Sequence, residues 1–115
     1  MTYKQIATMI GEIGLPCAYN EFKTTLQGPP FICWLCGNSS DFTADNSNYQ
    51  KIERLRIELY TVDRDFETEA AVESKLAENG IVWMSEGDYL DDERMYLRVY
   101  ESDVIITPEE PVVTT

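Results

Sequence analysis

Histidine is absent from this 115-residue sequence, and its absence removes much of enzyme chemistry. Without imidazole there is no Ser-His or Cys-His nucleophile system, and a metal ion loses its commonest nitrogen ligand. Paired carboxylates occur throughout, as expected in an acidic chain, and the few glycines match no nucleotide-binding loop. The residues therefore predict a protein that is not an enzyme and that uses no cofactor.

Cysteine is scarce, and its three positions are Cys17, Cys33 and Cys36. The odd number and the lack of an export signal argue against a disulfide framework. A zinc site takes about four ligands, and the chain has no second C-x-x-C to complete one. Inside a predicted strand, side chains at i and i+3 point to opposite faces, so the Cys33 and Cys36 thiols diverge. We interpret this C-x-x-C as two core-like cysteines and not as a metal or redox pair.

Long apolar runs are missing as well. No run approaches the ~20 residues that cross a bilayer as a helix. The first residues carry no basic region and no cleavage-site pattern of a signal peptide. The sequence therefore predicts no membrane partner and a protein that is made and assembled in a cytosol.

Basic residues are few, with 9 Lys and Arg against 21 Asp and Glu, for a net charge of −12. Residues 63–115 hold 15 of the acids and only 4 of the bases. Such a chain is a poor candidate for binding nucleic acid, because that binding requires cationic side chains that displace counterions from the phosphates. Two interpretations stay open: the acidity keeps the protein soluble, or it lets the protein stand beside DNA without binding it.

The apolar periodicity predicts one α+β domain over residues 1–105, in the order α-β-β-β-α-β-β, with a mostly antiparallel sheet and both helices on one face. Helices are expected at about 3–13 and 66–79, the first with a Thr2/Gln5 capping box and the second capped by Asp63 or Asp65. Strands are expected at 17–22, 31–36, 49–61, 81–90 with a kink at Gly87, and from Met95 onward. Residues 37–48 read as an exposed loop, and 106–115 as a flexible tail with prolines and acids.

The third and fifth predicted strands offer a candidate interface. Alternation places six side chains on one outward face: Arg54, Arg56, Tyr60, Tyr96, Arg98 and Tyr100. Arginine and tyrosine are enriched at protein interfaces, and three of the five arginines would lie here in an otherwise acidic chain. We hypothesise that this face meets an acidic surface of another subunit; the alternative is a solvated amphipathic face. Residues 31–35, apolar at consecutive positions, also predict a strand that requires cover on both faces.

Six segments, in this order, carry a resemblance to a known group: Ile13–Tyr19, Pro29–Leu35, Asp41–Asp45, Leu55–Thr61, Val72–Leu76 and Asn79–Ile81. The sequence resembles small tail-terminator or tail-completion (minor tail) proteins of long-tailed phages and prophages of Gram-positive bacteria. The likeness covers about residues 3–105, and its motifs are structural and not catalytic.

The resemblance implies an antiparallel sheet flanked by helices and a place in the virion tail, assembled in the host cytoplasm. It implies a ring of identical copies, usually a hexamer, that caps the tail tube and presents a surface to the head–tail connector. DNA would pass through the ring without specific binding. The loop at 37–48, with Asp41, Phe42 and Asp45, and the C-terminal tail are candidate contacts with the tail-tube protein or the connector.

Two alternatives to a tail terminator remain at this point. One is a neighbouring role in particle assembly, as a head-completion, head–tail joining or minor capsid protein. The other is a cytosolic, non-enzymatic adaptor or ligand-binding domain. Solution mass and electron microscopy test these alternatives: ring-shaped oligomers with a central hole favour a virion role over an adaptor, and a strict monomer at high concentration weakens both virion roles.

Overall fold

The computed structural model describes residues 1–22, 28–37, 42–43 and 49–107, and for residues 42, 43, 49 and 50 it describes the backbone alone. Most of the predicted loop at 37–48, and the predicted tail from residue 108 onward, lie outside the described residues. The elements are α1 (Tyr3–Gly11), β1 (Cys17–Tyr19), β2 (Phe31–Gly37), β3 (Phe42–Thr43), β4 (Tyr49–Thr61), α2 (Phe66–Glu78), β5 (Met84–Leu90) and β6 (Met95–Ile106).

The sheet follows the order β1-β2-β4-β6-β5, and the two-residue β3 pairs with β4 beside this path. The β1–β2 pair is parallel, and every other pair is antiparallel. The predicted α+β class and the order of helices and strands are confirmed, with β3 as an addition. Among the described residues, no helix has the length and apolar character needed to cross a membrane.

Both helices begin at side-chain caps. The Thr2 hydroxyl accepts the Gln5 backbone N–H at 3.1 Å and the Gln5 side chain accepts the Thr2 N–H at 2.9 Å, which confirms the capping box. Asp65, and not Asp63, caps α2: it accepts the Thr68 N–H at 3.0 Å and the Thr68 hydroxyl at 2.7 Å. These bonds lower the pKa of Asp65, because they favour its charged form.

One face of the sheet carries the core, and both helices pack against it. The buried cluster contains Ile6, Met9 and Ile10 of α1, Val72 and Leu76 of α2, and Ile32, Trp34, Leu55, Ile57, Leu59, Tyr100, Val104 and Ile106 of the sheet. Polar contacts fix the helices in place. The Tyr3 hydroxyl donates to Glu53 Oε1 at 2.7 Å, and Lys75 of α2 lies 3.6 Å from Glu12 at the end of α1.

The strand predicted from Ile81 begins three residues later, at Met84, because Ile81 belongs to the end of α2. Gly80, at φ +70°, donates its N–H to the Ala77 carbonyl at 3.0 Å, and Ile81 donates to the Leu76 carbonyl at 3.0 Å. This pair of bonds is a Schellman motif. The ladder of β5 then passes through Gly87 in continuous register with β6, so the predicted kink is not accompanied by a bulge.

Candidate assembly interface

The strand register gives the sheet two faces, and the helices leave one of them uncovered. This outer face is built by Phe31, Cys33 and Leu35 of β2, Arg54, Arg56, Glu58 and Tyr60 of β4, Met95, Leu97, Val99, Glu101 and Asp103 of β6, and Met84, Glu86, Asp88 and Leu90 of β5. Apolar and charged side chains alternate on this face, which the helices do not cover, and we therefore treat it as the candidate interface.

A chain of polar contacts crosses the middle of the outer face. Arg54 reaches Glu101 at 3.2 Å and Asp103 at 2.9 Å. Arg56 reaches Glu58 at 2.8 Å and Glu101 at 3.1 Å. The hydrogen bond to Glu58, with the fields of Glu58 and Glu101, raises the pKa of Arg56. Two arginines thus contact three carboxylates of their own chain.

This network changes the electrostatics expected of the face. Each arginine already has two carboxylate partners from its own chain, so neither presents an uncompensated positive charge. Glu86 and Asp88 of β5 add further negative charge on the same side. The proposed contact of this surface with an acidic neighbour therefore loses its electrostatic argument, while an interface role for Arg54, Arg56 and Tyr60 stays a prediction.

The other three predicted interface residues lie on the opposite face, so their assignment to one surface with Arg54 is wrong. The register pairs Arg98 with Leu59 and Tyr100 with Ile57, which places both on the helix-covered side. Tyr96 shares that side. Tyr100 is only 1% exposed, and its hydroxyl donates to Glu73 of α2 at 2.9 Å. Burial and this bond raise the pKa of Tyr100 well above its usual value.

Arg98 belongs to a charged cluster beneath α2. Its Nε lies 3.7 Å from Oε1 of Glu69, whose side chain is 5% exposed, and Arg64 contacts the same carboxylate at 3.3 Å. Arg98 also donates to the Ser85 hydroxyl at 2.9 Å. Its Nε is, within the described part of the chain, the one buried side-chain nitrogen or oxygen without a hydrogen bond. The cluster joins α2 to β6 and β5, which is a structural role.

Aromatic side chains form one end of the outer face. Phe31 stacks on Tyr60 with ring centroids 4.8 Å apart and an angle of 20°. The edge of Phe22, from the segment after β1, meets Phe31 at 5.6 Å. The predicted need for cover on both faces of β2 is thus met by the helices on the side of Ile32 and in part by Phe22 on the side of Phe31.

The two thiols of the C-x-x-C point to opposite faces, as predicted. Cys33 pairs with Glu58 on the outer face, and Cys36 pairs with Leu55 on the core side. Burial raises the pKa of Cys36 to about 11, and burial raises that of Cys33. Both thiols are therefore protonated at neutral pH. Within the described residues, no three His, Cys, Asp or Glu side chains are arranged to hold a metal ion.

Two of the predicted loop contacts, Asp41 and Asp45, lie outside the described residues. Phe42 contributes its backbone to β3, where it pairs with Gln50 of β4. Their interface role stays a prediction.

The fold is shared with a known virion chain. No known family's sequence profile matches this chain, and no curated protein matches it in sequence. Among solved structures, it is similar to a chain in a structure of the virion of a native gene transfer agent (GTA) particle. The TM-score is 0.60, the match covers 90% of each chain, and the sequence identity is 12%. At that identity the likeness shows the fold.

Proposed function

We propose that this protein is a structural component of a phage-like particle, and that it forms a ring that terminates the tail tube and joins it to the head connector. The observation that carries the proposal is the similarity of fold, over 90% of both chains, to a chain of a gene transfer agent virion. The same proposal places the protein in the virion. Its proposed partners are other copies of the chain, the tail-tube protein and the connector.

The two edges of the sheet support a ring. Within the described residues, β1 pairs only with β2 and β5 pairs only with β6, so each presents an unpaired edge. The edges differ in length, since β1 has three residues and β5 has seven. Two unlike edges favour a head-to-tail contact between copies, and such contacts close into rings when the rotation between subunits permits.

The charge of the chain supports passage of DNA. Each chain carries a net charge of −12, so a ring of identical copies is strongly negative as a whole. A negative ring repels phosphate and offers DNA few cations for a counterion-releasing contact. DNA therefore moves through the ring without being held. Within the ring, the outer face with Arg54, Arg56 and Tyr60 and the segment with Asp41, Phe42 and Asp45 are the proposed contacts with neighbouring subunits, tube or connector.

The solution mass of the protein tests whether it assembles. It is measured by multi-angle light scattering over a concentration series, first for the protein alone and then with purified tail-tube protein. We expect a species near six times the 13.2 kDa of one chain, at least when tube protein is present. The double variant Arg54→Gln/Arg56→Gln should shift the series toward monomer, whereas Lys4→Gln on the exposed side of α1 should not. A chain that stays monomeric in both conditions would contradict ring formation.

A further inference from the structure

A cleft of about 360 Å³ lies at the aromatic end of the outer face. The segment after β1 forms one wall, and the β5–β6 turn with its flanking residues forms the other. The lining side chains that the argument uses are Glu21, Phe22, Phe31, Glu58, Tyr60 and Glu93. Three of these side chains are aromatic, three are carboxylates, and none is basic.

The aromatic residues form a preorganised floor. Tyr60 and Phe31 are stacked at 4.8 Å, and Phe22 closes the corner with its edge against Phe31. The Tyr60 hydroxyl donates to Glu58 Oε1 at 3.1 Å, which holds the Tyr60 ring in its place. Rings fixed in this way lose little further conformational entropy when a ligand contacts them.

Carboxylates are the charged groups among the cleft's lining side chains: Glu21, Glu58 and Glu93. Burial, followed by the charge and hydrogen bond of Glu58, raises the pKa of Tyr60 to about 12. After burial, the charges of Glu58 and Glu21 add to the raised pKa of Cys33. Arg56 balances Glu58 at 2.8 Å, whereas Glu21 and Glu93, both exposed at the rim, have no ion-pair partner among the described residues.

We propose that this cleft is a docking site for an arginine side chain of a partner protein. A guanidinium group is planar, stacks on aromatic rings and donates to carboxylates in a fixed fork, and the cleft offers both kinds of surface together. The occupant belongs to a protein because the cleft lies on the sheet face that the two helices do not cover, where a partner backbone can lie. A basic partner segment also complements a chain of net charge −12. The proposal stands independently of ring formation.

The test is a titration followed by NMR of the backbone amides, with N-acetyl-arginine amide as the probe and N-acetyl-citrulline amide as its uncharged isostere. We expect saturable shifts around Phe22, Phe31 and Tyr60 with a dissociation constant on the order of millimolar, and about tenfold weaker binding of the citrulline probe. Equal binding of both probes, or no shifts in the cleft, would overturn the proposal.

Variants locate the binding energy. Glu21→Gln/Glu93→Gln should weaken the arginine probe about fivefold, since each exposed charge pair contributes little. Phe22→Leu should weaken it severalfold by removing a ring while keeping apolar cover. Glu86→Gln is the matched control, because Glu86 lies on the same face outside this cleft, and it should leave binding unchanged. Equal weakening by Glu86→Gln, or tighter binding of spermidine than of the arginine probe, would refute a specific arginine site.

Discussion

Arginine side chains occupy two environments in this protein, and the difference decides what each one does. Arg54 lies on the outer face with its side chain 41% exposed, paired with two carboxylates that water also reaches. Arg98 lies under α2 with its side chain 19% exposed, beside the nearly buried carboxylate of Glu69. Removing a charge from a buried group is costly because the partner loses its compensation, whereas exposed pairs contribute little.

Substitution of these two arginines should therefore affect stability unequally. We expect Arg98→Gln to lower the free energy of unfolding by about 2 kcal/mol, because Glu69 then keeps only Arg64 as a cation. Arg54→Gln should lower it by about 0.5 kcal/mol. Urea unfolding of both variants beside the parent chain measures the two values. Equal losses would mean that Arg98 is as solvated as Arg54, contrary to the contacts described above.

The cysteines show what residue-level patterns predict well. Opposite orientation of Cys33 and Cys36 followed from strand geometry alone, because a separation of three residues reverses the face in any strand. The prediction for Tyr96, Arg98 and Tyr100 was wrong, because alternation alone does not say which side of a strand faces the helices. Both faces of β6 carry large side chains, and Val99 and Tyr100 are both buried. Hydrophobicity therefore did not reveal which set faces the helices, and register with β4 decided it.

Among the elements, β5 depends on a close approach at one glycine. A Cβ on Gly87 would collide with the Tyr96 hydroxyl and would lie 3.0 Å from Nη1 of Arg98. Both side chains reach across β5 from β6, where Arg98 pairs with Gly87. The sequence predicts a kink at Gly87, but the strand pairing is continuous there. Glycine is needed at this position because side chains of the neighbouring strand occupy the space that a Cβ would fill.

Two glycine substitutions should consequently have opposite effects. Gly87→Ala should lower the free energy of unfolding by about 1–2 kcal/mol, because Tyr96 and Arg98 must leave their positions. Gly11→Ala is the matched control: it lies in α1 with nothing within 4 Å of the added Cβ, and it should raise stability by about 0.5 kcal/mol. Thermal and urea unfolding measure both. A neutral Gly87→Ala would show that β5 packs more loosely than described.

Helix ends were predictable where local sequence determines them. The capping box of α1 and the asparagine–glycine end of α2 follow from short patterns, and both are present. The start of β5 was not predictable in this way. Ile81 has strand character, but its backbone N–H completes the end of α2 and its side chain enters the core. The hydrogen bonds that end α2 therefore determine the backbone of Ile81, although its side chain favours a strand.

At the scale of the whole molecule, the two sides of the sheet have separate tasks. The core side is closed by two helices, and the outer face carries the ion-pair network and the aromatic cleft. The class and element order were predictable from periodicity. The cleft was not, because Glu21, Phe31, Tyr60 and Glu93 come from separate segments that only the strand register brings together.

Cryo-electron microscopy of purified tail tubes incubated with this protein tests whether it terminates the tube. We expect a ring of identical copies at one end of each tube, with a central hole, and no growth from that end when more tube protein is added. Protein bound along the tube wall, bound to head shells instead of tube ends, or absent from tubes that keep growing would contradict it.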